Sequence, residues 1–160
     1  MRWFWIDKFV EFESGVRAKA IKNVSMAEEH LHDHFPGFPV MPPTLMIEGM
    51  AQTGGILLGE ISNFNNIVVL AKVPKAKFYR SIGPGETIMY DAKMLENGED
   101  GGMVECVATV GTEVVAEVEI MYGYLNKVNP ELAKTIDLKS FFIDSGLAGI
   151  LRTGNSGYTR

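Results

Sequence analysis

The stretch TLMIEGMAQTGGILLGEIS, from Thr44 to about Ser62, limits what this chain can become more than any other part of it. It is apolar on nearly every side, so as a helix it has no wet face to turn outward. Its most apolar part, Thr44 to Leu58, is shorter than the roughly 20 residues that a membrane-spanning helix needs, and it carries Glu48 and Gln52. The helix must therefore be enclosed by the rest of the chain. Gly49, Gly54, Gly55 and Gly59 sharpen this expectation. Each glycine costs a helix about 0.8–1.0 kcal/mol relative to alanine, which predicts neighbours that approach too closely for a side chain.

The enclosing material reads as strand. Lys8 to Val24 holds two short extended segments around Ser14-Gly15, and in the second Val16, Ala18, Ala20, Lys22 and Val24 share one face. Beyond Asn63 come IVVLAKV, KAKFYRSI, ETIMYDAKML, MVECVATV and EVVAEVEIMYGYL, with turns at Gly83-Pro84-Gly85, at Asn97 to Gly102 and at Gly111-Thr112. In the last strand Ala116, Val118, Ile120, Tyr122 and Tyr124 lie on one face, Glu117 and Glu119 on the other. One long helix with six or seven mostly antiparallel strands predicts an α+β fold, a curved sheet wrapped around a central helix.

A length of 160 residues with 46% hydrophobic and 22% charged residues fits one soluble domain spanning 1–160, with a core of about 7–124 and an extension of about 126–160. In that extension ELAKTIDLKSFFIDSGLAGIL is expected to form one or two helices, and Thr153 to Arg160 to be disordered. The net charge of −5 argues against a general nucleic-acid binder. The one cysteine, Cys106, has no internal partner and sits in an alternating strand, where it serves as a small hydrophobe. The start MRWFWIDKFVEF lacks the apolar run of a signal peptide, so a cytoplasmic protein is expected.

The chemistry concentrates between His34 and Gln52. Pro36, Gly37, Pro39, Pro42 and Pro43 force a stiff, non-helical approach, because each proline fixes φ and lacks an N–H. Pro43 is a natural first residue of the helix that follows. His34 then stands at one end of a rigid loop, and Glu48 on the first turns of the helix. An ionised carboxylate on an apolar helix is penalised by several kcal/mol without a partner or a task, and desolvation favours its protonated form. A protonated Glu48 can give a proton to a leaving hydroxyl while a neutral His34 removes one from a carbon beside a carbonyl. Gln52, one turn on, is placed to orient the Glu48 carboxyl. A core ion-pair member and a structural turn histidine are the plainer readings of the same two residues.

His30, His32 and His34 alternate and would share a strand face, which suggests a metal. No nearby cysteine completes a set, and the following prolines disfavour a strand, so no metal is expected. Met41, Met46 and Met50 are suited either to filling a core or to lining a channel for a flexible acyl chain.

These residues resemble the β-hydroxyacyl-acyl-carrier-protein dehydratases of fatty acid synthesis, of the FabZ type. The resemblance rests on HFPGFPVMP followed by LMIEGMAQ, with AIKNVS before, and LAKVPKAKFYRSIGPGE and ATVGTEVVAEVEI after, and it covers about Asp7 to Tyr124. It implies the hot-dog fold, no cofactor, and dehydration of (3R)-3-hydroxyacyl to trans-2-enoyl groups carried on an acyl carrier protein through phosphopantetheine. It implies that His34 and Glu48 are catalytic and meet across a homodimer interface, in a dimer alone or in a trimer of dimers. The substrate would run past Phe35, Val40, Met41, Pro43, Thr44 and Gln52. Glutamate at 48, where the related FabA type has aspartate, favours dehydration without isomerisation.

One residue departs from the family pattern. Where the family has glycine after Met-Pro, this chain has Pro43, which has no N–H to hold a thioester carbonyl; the N–H or hydroxyl of Thr44 would have to take that part. Alternatives therefore stay open: a thioesterase, a dehydratase of polyketide or coenzyme A substrates, or a non-catalytic acyl-binding homologue. Lys72, Lys75, Lys77 and Arg80 form a locally basic run with no acid among them, expected either to dock an acidic carrier protein or to be an ordinary solvated strand face.

Overall fold

The computed structural model describes residues 4–136. Six strands form one sheet: β1 (Lys8–Glu13), β2 (Arg17–Asn23), β3 (Val68–Phe78), β4 (Thr87–Asn97), β5 (Gly101–Val110) and β6 (Glu113–Tyr124), in the order β1-β2-β4-β5-β6-β3. Every neighbouring pair is antiparallel. The described residues also form four helices: α1 (His30–Asp33), α2 (Pro43–Ile61), α3 (Leu125–Val128) and α4 (Pro130–Thr135). The 19-residue α2 lies against β2, β3, β4, β5 and β6, so the sheet wraps it as the hot-dog fold requires.

Alternation explains which side of the sheet meets the helix. Ile88, Tyr90 and Ala92 of β4, and Val104, Cys106 and Ala108 of β5, are fully buried, with polar or half-buried residues between them. The β5–β6 register slips between Ala108 and Thr109, so that Val115 and Ala116 both turn inward before alternation resumes at Val118. Leu57, Leu58, Met46 and Met50 of α2 are buried as well, each worth about 1.5–3 kcal/mol relative to an exposed position. Met41 joins the same core, so all three methionines that the sequence offered as channel lining are packed inside it. Cys106 is also fully buried, and burial pushes its thiol well above the ordinary range.

Two glycines account for the close enclosure. A Cβ on Gly49 would stand 2.5 Å from the Tyr90 ring, and one on Gly54 would stand 2.6 Å from the Tyr122 hydroxyl, which donates to the Ala51 carbonyl at 2.9 Å. The expectation that α2 is packed on all sides needs a correction, however. Thr44 is exposed, and Glu48, Gln52 and Gly55 are only half-buried, which leaves one stripe of the helix open in the single chain.

Two further differences from the sequence reading have local causes. The segments IVVLAKV and KAKFYRSI form one strand, β3, at the edge of the sheet. Pro74, which has no N–H for a ladder, falls where the β3–β6 register shifts between Lys72 and Lys75, and an edge strand tolerates both. The Ser25 to Pro43 loop contains the single turn of α1, so the three histidines do not lie along a strand. In the extension, α4 begins at Pro130 with the Asn129 side chain accepting from the Leu132 N–H; the rest of the expected helical segment and the expected disorder of Thr153 to Arg160 lie outside the described residues. No helix among the described residues is long and apolar enough to cross a membrane.

Candidate active site

His34 closes α1, its N–H bonded to the His30 carbonyl at 3.2 Å. The proline-rich loop then folds back: Phe35 and Phe38 exchange main-chain bonds of 3.0 and 2.9 Å, and the Val40 N–H returns to the His34 carbonyl at 2.9 Å. The His34 ring stacks on Phe35 with centroids 4.2 Å apart, and its Nδ1 lies 2.9 Å from the Val40 carbonyl. A carbonyl oxygen only accepts, so Nδ1 carries a hydrogen, and in the neutral ring the lone pair is then on Nε2. Val40, expected to touch substrate, is 8% exposed and orients this ring through its main chain.

Glu48 sits on the open stripe of α2. Its Oε1 accepts from Gln52 Nε2 at 2.9 Å, and Gln52 Oε1 accepts from the Trp5 N–H at 2.9 Å. Glu48 and Gln52 are the polar edge of a cleft of about 180 Å³ whose other walls are Ala51, Gly55, Ile56, Val68, Leu70 and Tyr122. One oxygen of this carboxyl is engaged by the Gln52 amide, and the group borders a slot whose other walls are mainly apolar. Burial pushes the Tyr122 phenol well above its ordinary range, and its hydroxyl is already committed to Ala51, so it is a wall and not an acid.

Within one chain His34 does not line this cleft, and among the described residues no hydrogen bond joins it to Glu48. Pro43 and Thr44 are exposed at the start of α2. The N–H groups of Leu45 and Met46 return to the Pro42 carbonyl at 3.0 and 3.2 Å, so Thr44 carries the first main-chain N–H of α2 without an acceptor among the described residues.

The basic run on and just after β3 is less basic in space than in sequence. Lys75 meets Glu119 at 3.0 Å, and Arg80 meets Glu86 at 2.8 Å and Glu113 at 2.9 Å. Lys72 and Lys77 have no ion pair among the described residues and are exposed. The acids come from β6 and the turn before β4, which linear order separates from the lysines. Sequence reasoning missed Trp5, Leu70 and Tyr122. The two on β3 and β6 could have been reached through strand alternation once the pairing was known, whereas Trp5 belongs to no motif.

The FabA-like domain family matches this chain over residues 3–119. The 3-hydroxyacyl-acyl-carrier-protein dehydratase FabZ of Petrotoga mobilis is 39% identical over 67% of this chain and 77% of its own length. That of a Hydrogenobaculum species is 40% identical over 72% of this chain and 80% of its own. Among solved structures, the dehydratase heterocomplex ApeI:P from Xenorhabdus doucetiae superposes with a TM-score of 0.66 at 16% identity, covering 84% of this chain and 90% of that one; at that identity the likeness speaks for the fold alone.

Proposed function

The chain belongs to the FabA-like family, among the FabZ-type dehydratases, and from that premise we propose that it removes water from 3-hydroxyacyl groups carried on acyl carrier protein by means of His34 and Glu48. The acyl chain enters the apolar cleft. His34 Nε2 takes the α-proton, the electron pair becomes the Cα–Cβ double bond, and the Cβ–O bond breaks as Glu48 protonates the departing hydroxyl. A trans-2-enoyl thioester and water leave, and a proton returns from imidazolium to carboxylate through solvent. The Thr44 N–H, at the positive end of α2, faces the negative charge that develops on the thioester carbonyl, the part that Pro43 cannot play.

The observation that carries this reading is the His34 tautomer. With Nδ1–H given to the Val40 carbonyl, the free nitrogen is a proton acceptor, as an elimination needs. The test is to supply a crotonyl thioester and follow both absorbance and thiol. Loss of the enoyl absorbance by hydration, without thiol release, is expected; thiol release would mean a hydrolase and overturn the reading.

Because His34 does not line the Glu48 cleft in one chain, the proposal includes a homodimer in which each site draws His34 from one subunit and Glu48 from the other. Support comes from the open edge of β3, eleven residues long, beside exposed Leu70 and Met121.

Docking of the acidic carrier would fall to Lys72 and Lys77, since Lys75 and Arg80 are already matched by acids. Reversing both charges, Lys72→Glu with Lys77→Glu, is expected to raise KM for a carrier-linked substrate about 5- to 10-fold at low salt. The effect should fade at high salt and be absent with a small pantetheine thioester. Equal effects on both substrates would remove the patch from carrier recognition.

A further inference from the structure

The four glycines of α2 do not share one cause. A Cβ at Gly49, Gly54 or Gly59 would come within 2.5, 2.6 and 3.1 Å of a neighbour, so close packing explains each of them. Gly55 has no such neighbour: a Cβ there would stand 3.5 Å from Tyr122 Cε1 and 4.0 Å from Val68 Cγ1, both ordinary contacts. Nor is its backbone in the left-handed region that favours glycine. A glycine in a helix interior costs stability, and at 55 nothing among the described residues requires it.

What distinguishes position 55 is its place in the cleft. The α2 wall of the cleft starts at Glu48 and ends at Gly55 and Ile56, and Val68 and Tyr122 stand in the walls that face it. A Cβ at 55 would meet both of them, so a side chain there would lie in the slot itself. The Tyr122 wall is fixed, since the residue is 6% exposed and its hydroxyl donates to the Ala51 carbonyl at 2.9 Å. A long side chain on a helix also leans back over the preceding turn, which here is the turn of Ala51 and Gln52, towards Glu48. Seven residues at about 1.5 Å each set Gly55 roughly 10 Å beyond Glu48 along the helix. An extended alkyl chain advances roughly 1.3 Å per carbon, from C–C bonds of about 1.5 Å at tetrahedral angles, so about eight carbons cover that distance.

We infer that Gly55 is the chain-length determinant of the acyl cleft: its missing side chain makes room for the part of a saturated tail that lies about eight carbons beyond the reacting bond. This rests on the proposed dehydration, in which Glu48 meets the β-hydroxyl. Short acyl groups end before Gly55, and long ones must pass it.

Hydration of trans-2-butenoyl and trans-2-tetradecenoyl groups on acyl carrier protein tests it, in the wild type, in Gly55→Ala and in Gly55→Leu. The ratio of kcat/KM for the long substrate to that for the short one is expected to fall about tenfold or more in Gly55→Leu, the loss that one displaced methylene can bring in an apolar pocket. In Gly55→Ala it should fall about twofold or more. An unchanged ratio, whatever the absolute rates, would overturn the inference; if dissociation on size-exclusion chromatography accompanied it, a close subunit contact would be what keeps residue 55 bare. Should Gly55→Leu fail to fold, the ratio in Gly55→Ala decides. The same ratio taken from the dissociation constants of S-tetradecyl- and S-butyl-pantetheine needs no turnover. A wild-type protein that hydrates neither substrate would refute the proposed reaction, and the binding ratio would then judge Gly55 by itself.

Discussion

Mixing His34→Ala protein with Glu48→Gln protein, each inactive by itself, is expected to restore about a quarter of wild-type activity. Removing a general acid or base costs about 10²- to 10⁴-fold, so each variant alone should fall near background. In a shared site the mixed dimer keeps one complete pair: the histidine of the Glu48→Gln chain opposite the glutamate of the His34→Ala chain. Random reassortment makes about half of the dimers mixed, each with one working site of two, which yields about a quarter. The expectation rests on a feature of the single chain, in which Glu48 and Gln52 border the apolar cleft and His34 does not. Co-expression with two tags lets the mixed dimer be isolated and assayed. A purified mixed dimer with no activity would place both groups in one chain, or exclude one of them from the chemistry.

Gly49→Ala is expected to destabilise the fold by about 1–3 kcal/mol and to lower Tm by about 3–10 °C. The added methyl would stand 2.5 Å from Tyr90 Cε2 and 2.8 Å from the Trp5 carbonyl. Neither neighbour can yield cheaply: Tyr90 is fully buried, and the Trp5 atom is main chain. The intrinsic preference of a helix for alanine, up to about 1 kcal/mol, opposes the clash and does not offset it. Gly55→Ala is the contrasting case, because its Cβ would meet nothing nearer than Tyr122 Cε1 at 3.5 Å, an ordinary contact. There the helix preference should prevail, and Tm should rise. Thermal melts of the two variants test the packing directly, and a Gly49→Ala protein as stable as the wild type would mean that α2 does not lie this close to Trp5 and Tyr90.

The glycines of α2 illustrate how far sequence reasoning reached. Their number in an apolar helix foretold close approach, but not that Tyr90 and Trp5 approach Gly49 while Gly55 stays open to a cleft. Lys72, Lys75, Lys77 and Arg80 mislead for a related reason. Read along the chain they form an uninterrupted basic run, whereas Glu119, Glu113 and Glu86, brought in by β6 and the turn before β4, neutralise two of them. The merging of two expected strands into β3 turned on Pro74, which reads as a break until its place at a sheet edge is known.

The order of residues by itself determined the central helix, its start at a proline, and the alternation that turns Ala116, Val118, Ile120 and Tyr122 inward. These depend on local geometry and on periodicity, which the chain carries wherever it goes. Only the tertiary structure decided that His34 gives its Nδ1–H to the Val40 carbonyl, that Glu48 and not His34 lines the apolar cleft within one chain, and that Trp5 reaches Gln52 across 47 positions. Those are relations between atoms distant in sequence, set by how the sheet folds over the helix, and no pattern along the chain encodes a distance across it.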